Sequence, residues 1–187
     1  MIRLAQQEDA KALLAIYSQY IDTAITFEEK LPSEAEFTQR IQDISAEYPY
    51  LVWEEDGKVL GYAYGHRLRE RAAYQWDAEL SIYLDRSITG KGIGSKLYTV
   101  LMELLKLQGI CTVYGIVVIP NDPSAALHQR LGFQLTGTFL DTGFKLGKWW
   151  GTWWFEKHLL SHDVAPAPLI PFPTVPSNKV AEILQNA

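Results

Sequence analysis

The alternation of apolar and polar residues divides the chain into a regular succession of elements. Ile2 to Ala5 is an apolar stretch of strand type, and from Glu8 to Tyr20 the residues Ala12, Leu13, Ile16, Tyr17 and Tyr20 recur at helical spacing on one stripe. Pro32-Ser33 opens a second predicted helix running to about Glu47, with Ser33 as N-cap and Glu36 as its capping-box partner. The period then falls to two. Tyr50 to Glu55 and Lys58 to His66 are predicted strands joined at Asp56-Gly57, a strong hairpin signal. From Tyr74 to Leu84 the alternation is nearly strict: Tyr74, Trp76, Ala78, Leu80, Ile82 and Leu84 are expected to face a core, and Gln75, Asp77, Glu79, Ser81 and Tyr83 to face water. After a glycine-rich stretch, Ile93, Leu97, Val100, Leu101, Leu104 and Leu105 line a helix that Gly109 terminates. Cys111 to Ile119 is an almost continuous apolar run, as in a strand covered on both faces. Pro120-Asn121-Asp122-Pro123 ends it and starts a short helix reaching Gly132, and two more strands lie near Phe133 to Phe144 and Trp150 to His158. Only the middle of this order alternates in the parallel manner, so the fold class is mixed α/β (α+β), a sandwich rather than a doubly wound sheet.

Length and composition narrow this picture. The 187 residues suffice for one well-buried domain, placed at 1–161, and a tail at 162–187. In that tail five prolines between Pro166 and Pro176 interrupt Leu169, Ile170, Phe172 and Val175 before a short amphipathic stretch around Val180 to Leu184; docking on the body or on a neighbouring subunit is expected. Apolar residues at 48% and charged residues at 21% are those of a soluble globular protein, and no run is long enough to span a bilayer. The N-terminus lacks the regions of a signal peptide, which points to the cytoplasm. The single Cys111 excludes an intramolecular disulfide and reads as a small buried hydrophobe. A net charge of -5 disfavours a nucleic-acid surface, and His158 with His162 is the only close histidine pair, with no coherent metal-ligand set. Trp149, Trp150, Trp153 and Trp154 are too many for one small core and suggest a homodimer interface.

The stretch Gly90-Lys91-Gly92-Ile93-Gly94-Ser95 lies between a strand and a helix, where backbone N–H groups can approach phosphate oxygens at the positive helix end. A plain turn would use the same residues. A Walker-A loop would need Ser or Thr directly after its lysine, but Lys96 is followed by Leu97. A dinucleotide fingerprint would need glycine at Ser95 and would follow the first strand of a βαβ unit.

With the amphipathic helix that follows, this loop resembles the acetyl-CoA signature of the GNAT superfamily, with Thr89 standing where Gln or Arg is usual. Gly61-Tyr-Ala-Tyr, Ala78-Glu-Leu-Ser-Ile-Tyr-Leu, Asn121-Asp-Pro-Ser, Leu131-Gly-Phe and Gly143-Phe-Lys are similar, in order and spacing, to the phosphinothricin and methionine-sulfone N-acetyltransferase subgroup, from about Ile2 to Leu159. The resemblance implies a GNAT-type three-layer sandwich with a central mixed, mostly antiparallel twisted sheet flanked by helices. It also implies acetyl-CoA as cosubstrate, no metal, and a small amino-acid-like amine as acceptor. Peptide N-termini or polyamines, or acyl-CoA binding without turnover, are the alternatives.

Residue roles follow from the same resemblance. Glu79 is the expected base, acting on an amine that is only about one-tenth neutral at pH 7, with Asp77 on the same face as second candidate. Ile82, Tyr83 and Leu84 fall where the family's pantetheine arm pairs with a free strand edge, and a backbone N–H near Leu84 would polarise the thioester carbonyl. Gly90 to Ser95 would hold the pyrophosphate, and Asn121 and Ser124, also suited to helix capping, would make further cofactor contacts. His128 stands four residues before the glycine of Leu-Gly-Phe, where many relatives carry the tyrosine that protonates the thiolate. Arg69, Glu70 and Arg71 lie in the segment that resembles the substrate loop, where guanidinium forks suit carboxylate, phosphinate or sulfonyl oxygens. Phe27, Tyr74 and Trp149 match pocket-wall aromatics, and Leu80 and Ser81 flank the base on the acceptor side.

Overall fold

The computed structural model describes residues 1–162 and 164–187. Among them, strands β1 (Ile2–Leu4), β2 (Tyr50–Glu55), β3 (Lys58–Arg67), β4 (Asp77–Leu84), β5 (Thr112–Ile119), β6 (Gln134–Lys145) and β7 (Lys148–His158) form one sheet in the order β1-β2-β3-β4-β5-β7-β6. Every neighbouring pair is antiparallel except β4 and β5. The helices are α1 (Ala10–Ser18), α2 (Glu34–Ser45), α3 (Ile93–Gln108), α4 (Asp122–Arg130) and α5 (Ser177–Gln185). None is long and apolar enough to cross a membrane.

Local chemistry sets several boundaries. Ser33 Oγ accepts from the Glu36 N–H while the Glu36 carboxylate accepts from the Ser33 N–H, the reciprocal cap that starts α2. Asp56 and Gly57 take φ of 50° and 73°, as the tight turn between β2 and β3 demands. Gly109, at φ 92°, ends α3.

Two expectations about β4 need correction. The strand begins at Asp77 rather than Tyr74, because β3 ends at Arg67, the partner of Ala78, and upstream residues have no ladder to join; Ala72–Tyr74 form a 3-10 turn instead. The polar side of β4 is not open to water along its length either. Helices α1 and α2 cover β2 to β4 on that side, packing Leu13, Ile16, Tyr17, Phe37 and Ile41 against Tyr50, Val52 and Tyr62. Tyr83 meets Tyr17 edge-on at 5.0 Å. Alternation shows which residues share a face but not which faces are covered. On the opposite side α3 buries Leu97, Leu101, Leu104 and Leu105 against Leu51, Ala63, Ala78, Leu80 and Val113.

The C-terminal segment lies against the body on the α3 side, with Phe172, Val175 and Val180 in the larger core. Its anchor is Gln108, the last residue of α3 and fully buried, whose amide donates to the carbonyls of Glu47 at 2.7 Å and Ile170 at 2.9 Å. The Ile170 N–H returns a bond to the Gln108 carbonyl at 2.9 Å, and the Trp76 indole donates to the Ala167 carbonyl at 2.8 Å. The β6–β7 hairpin is the least covered part of the sheet, with Leu135, Phe139, Leu140, Phe144, Leu146 and Trp149 exposed.

Gln108→Ala leaves the Ile170 carbonyl without its donor, while the Glu47 carbonyl keeps the Phe172 N–H at 3.1 Å, and is expected to lower stability by about 1–3 kcal/mol in urea titration. It should also open the segment after Leu159 to limited proteolysis while the sheet stays resistant; an unchanged cleavage pattern would remove Gln108 as the anchor.

Candidate active site

The site begins where a strand pairing stops. β4 and β5 run in parallel register only from Asp77–Glu79 against Thr112–Tyr114, although β5 continues to Ile119 along β7. The Asp85 N–H donates to the Leu60 carbonyl on the β3 side, so by alternation Leu80, Ile82 and Leu84 turn their backbone groups toward the gap. The Leu80 carbonyl accepts from the Tyr98 hydroxyl at 3.3 Å and the Leu84 carbonyl from the Tyr20 hydroxyl at 2.5 Å. Backbone groups of Tyr83 face β3, so this residue takes part in the gap through its ring rather than its main chain. The gap widens into a cavity of about 230 Å³ whose walls include Phe27, Glu79, Leu80, Ser81, Ile82, Tyr83, Asn121, Ser124 and His128. Thr152 also lines it, and its buried Oγ1 has no partner among the described residues.

The glycine loop reaches α3 beside this gap. Gly90 and Gly92 have φ of 76° and 82°, and a Cβ at either would meet nothing within 4 Å, so the left-handed turns leave open space at the helix N-terminus. A Cβ on Gly94 would lie 3.5 Å from Ile82 and 3.7 Å from Leu84, which puts the first turn of α3 against the free end of β4. Lys91 is exposed beside the loop, Ile93 is buried beneath it and Ser95 is half-buried. Open backbone at a helix N-terminus next to unpaired strand edge fits an elongated ligand with an anionic end.

Glu79 sits at the point of divergence. Burial raises its carboxyl above the ordinary range, opposed by the positive charges of His66 and Arg69. His66, directly across the β3–β4 ladder, brings Nε2 to 3.9 Å from Glu79 Oε1. Arg69 lies over the Trp154 ring at 5.9 Å. The other expected acceptor residues are not gathered here. Glu70 is almost fully exposed, Arg71 and Tyr74 are exposed, and Trp149 packs on Phe144 at 5.5 Å, all outside the cavity wall.

His128 is 2% exposed, stacked on Phe155 at 5.1 Å and edge-on to Phe133 at 5.0 Å. Its Nδ1 lies 2.8 Å from the Ser124 carbonyl, which can only accept, so Nδ1 carries the proton and the buried Nε2 has no partner among the described residues. Desolvation lowers its pKa and keeps it neutral. Gly115 is what admits the ring, since a Cβ there would come within 2.0 Å of Nε2. Asn121 caps α4 through the Ser124 N–H at 3.4 Å.

One element of the site has no periodic signal in the sequence. Lys145, 4% exposed at the end of β6, donates from Nζ to the carbonyls of Ile21, Thr23 and Thr26, each at 2.7 Å. These belong to the segment between α1 and α2 that supplies Ala24 to Phe27 to the cavity wall. Burial lowers the ammonium's pKa, and nearby Asp22, Glu28 and Glu29 oppose the shift. Gly143 lies beneath Phe27, where a Cβ would approach the ring to 2.5 Å.

A family model described as an acetyltransferase (GNAT) domain matches residues 2–154. Phosphinothricin N-acetyltransferase of Streptomyces viridochromogenes is 35% identical over 149 residues, 79% of this chain and 81% of that protein. The L-methionine sulfoximine/L-methionine sulfone acetyltransferase of Pseudomonas aeruginosa is 32% identical over 151 residues, covering 79% and 88%. Among solved structures, a GNAT superfamily phosphinothricin acetyltransferase from Sinorhizobium meliloti in complex with acetyl-CoA superposes with a TM-score of 0.86 at 36% identity, over 89% of this chain and 92% of that one.

Lys145→Met removes three charge-assisted donors from one loop. It is expected to speed amide hydrogen exchange selectively in residues 21–28, by an amount equivalent to about 2–4 kcal/mol of lost local stability, while amides of β2 to β4 keep their protection. Exchange that accelerates everywhere would make Lys145 a global rather than a local anchor.

Proposed function

This chain belongs to the GNAT acetyltransferase family, and on that premise we propose that it moves acetyl from acetyl-CoA to the amine of a small amino-acid-like acceptor of the phosphinothricin, methionine sulfone or methionine sulfoximine type. The observation that carries the reading is Glu79: a desolvated carboxylate on the cavity wall, at the end of the β4–β5 pairing, with its basicity raised by burial. Such a group is a base poised toward neutral pH.

Acetyl-CoA supplies an activated acetyl thioester. In this reading the N–H groups of Gly90 to Ser95 and the start of α3 hold the pyrophosphate, with Lys91 nearby, and Asn121 and Ser124 flank the arm from the other side. Backbone groups of Ile82 and Leu84 align the pantetheine, and the Leu84 N–H serves as the oxyanion donor, a role worth about 3 kcal/mol. Glu79 takes the proton of the acceptor ammonium, directly or through one water. The free amine then forms the C–N bond as the C–S bond breaks, and the proton lost from the new amide nitrogen neutralises the departing thiolate. Leu80 and Ser81 flank the base, Phe27 closes the acceptor side, and Arg69 supplies the positive charge that favours an acidic acceptor. His128, neutral and with its one N–H bound to Ser124, replaces its expected role as acid with that of a positioning residue. A thiol with pKa about 8.5 needs no dedicated acid near neutral pH.

Glu70, Arg71, Tyr74 and Trp149 belong in this reading to the rim rather than the wall. The exposed apolar hairpin carrying Phe139, Leu140 and Trp149 is assigned to a homodimer interface, and the enzyme to the cytoplasm where acetyl-CoA is available.

Thiol release from acetyl-CoA across a panel of amines, with methionine sulfone and phosphinothricin beside an N-terminal peptide and spermidine, tests the acceptor class; preference for the peptide or the polyamine would overturn it. Glu79→Gln is expected to lower kcat/KM by about 10²- to 10⁴-fold. In the wild type, activity should fall as pH drops through a value above the ordinary carboxylate range, because the base must be ionised and burial has raised its pKa. A profile that is unchanged in Glu79→Gln would reject the base. Gly92→Val forces a side chain into a left-handed turn and into the open cradle, and should weaken acetyl-CoA binding at least tenfold by titration calorimetry; equal affinity would refute that geometry.

A further inference from the structure

The base has a neighbour that family resemblance does not assign. His66 stands on β3 directly opposite Glu79, its side chain about one-third exposed. Its Nδ1 lies 3.2 Å from the Arg67 carbonyl. A carbonyl only accepts, so Nδ1 carries a fixed proton and the titrating nitrogen is Nε2, the atom that faces Glu79 Oε1 at 3.9 Å. The ring is steadied by Tyr64, with centroids 5.8 Å apart. We propose that His66 is a positioning residue for Glu79, one that places a positive charge, when protonated, across the β3–β4 ladder and so favours the ionised form of the base. The proposal rests on Glu79 being the base.

The surroundings leave this task to few groups. Arg69, from the segment between β3 and β4, is the other cation that acts on Glu79. Tyr64 on β3 and Tyr98 on α3 face the carboxylate with phenols that burial holds in the neutral form, while Tyr114, its ladder partner on β5, interacts with Glu156 and Asp77. The remaining carboxylates on this face interact elsewhere: Asp77 with His162 and His158, and Glu156 with His158 at 3.3 Å. Glu79 itself has no hydrogen-bonded cation. Burial pushes it toward the neutral acid, and the positive charges of His66, when protonated, and of Arg69 oppose that.

The test is the pH dependence of kcat/KM in the full-length protein for His66→Gln and His66→Lys beside the wild type and Glu79→Gln. In His66→Gln the acid limb should move to higher pH, with activity near about pH 6 falling roughly three- to tenfold and the plateau above about pH 8 falling far less. His66→Lys, a permanent cation at this position, should bring the acid limb back toward the wild-type position. A limb that does not move in His66→Gln, or a loss equal at every pH, overturns the proposal, as does failure of the lysine to restore activity on the acid side. Glu79→Gln separates the two readings. If it abolishes the acid limb while His66→Gln leaves it in place, only the role of His66 falls. If it retains both rate and limb, the assignment of the base falls, and His66 with it.

Discussion

The parallel pairing of β4 with β5 ends at Glu79 opposite Tyr114, and the arrangement of the rest of the site depends on that early end. Inside a sheet each strand satisfies the next, and an unpaired buried backbone group costs about 1–3 kcal/mol. The protein meets part of this cost with side chains from two helical segments: Tyr98 of α3 donates to Leu80, and Tyr20, just after α1, donates to Leu84. The N–H groups of Ile82 and Leu84 face the gap, where an extended ligand can complete the sheet as an added strand. β5 pairs with β7 along its whole length, and the β6–β7 hairpin is in turn tied by Lys145 to the loop between α1 and α2 on the far side of the gap. The opening is bridged at its rim and needs no contact across its floor.

Two buried charges in this region are treated in opposite ways. Lys145 is nearly inaccessible but has three carbonyl acceptors, one for each ammonium proton, so its charge is matched. Glu79 is desolvated without a hydrogen-bonded cation, the nearest being His66 Nε2 at 3.9 Å. A structural charge is stabilised by complete satisfaction. A base has to remain incompletely satisfied, because a carboxylate held tightly by an arginine fork loses the proton affinity that general-base chemistry requires.

Much of the fold was legible because its signals are local. The Ser33–Glu36 cap, the Asp56-Gly57 turn, the Gly109 stop and the helical stripe of α3 are each specified within a few residues, and the order of elements follows from them. The glycine loop and Glu79 were legible for a related reason: a motif between strand and helix fixes their surroundings. Lys145 and His66 were not. The carbonyls that hold Lys145 lie more than a hundred residues away, and His66 meets Glu79 only through the β3–β4 register. Periodicity likewise gave no means of knowing that α1 and α2 would cover the polar side of β4. The expected acceptor residues Glu70, Arg71, Tyr74 and Trp149 stand outside the cavity because a matched position in sequence specifies the segment, not whether it is folded inward.

His128 shows how packing can reassign a residue that position in sequence marks for chemistry. By its resemblance-based position alone it is expected to be a proton donor. Its environment argues otherwise. The ring is enclosed by Tyr98, Phe133 and Phe155, and Gly115 in the middle of β5 supplies the hole for its Nε2. A glycine inside a central strand weakens it and usually marks a close approach; here the approaching group is this imidazole. Histidine and glycine therefore form one packing unit, in which the proton on Nδ1 is committed to Ser124 and the buried lone pair is on Nε2. A neutral ring so held can support the start of α4 and the Asn121–Ser124 turn, but it has no proton to give. In the proposed reaction the leaving thiolate, only weakly basic, does not require one, and the proton transfer is assigned to the carboxylate on the other side of the gap.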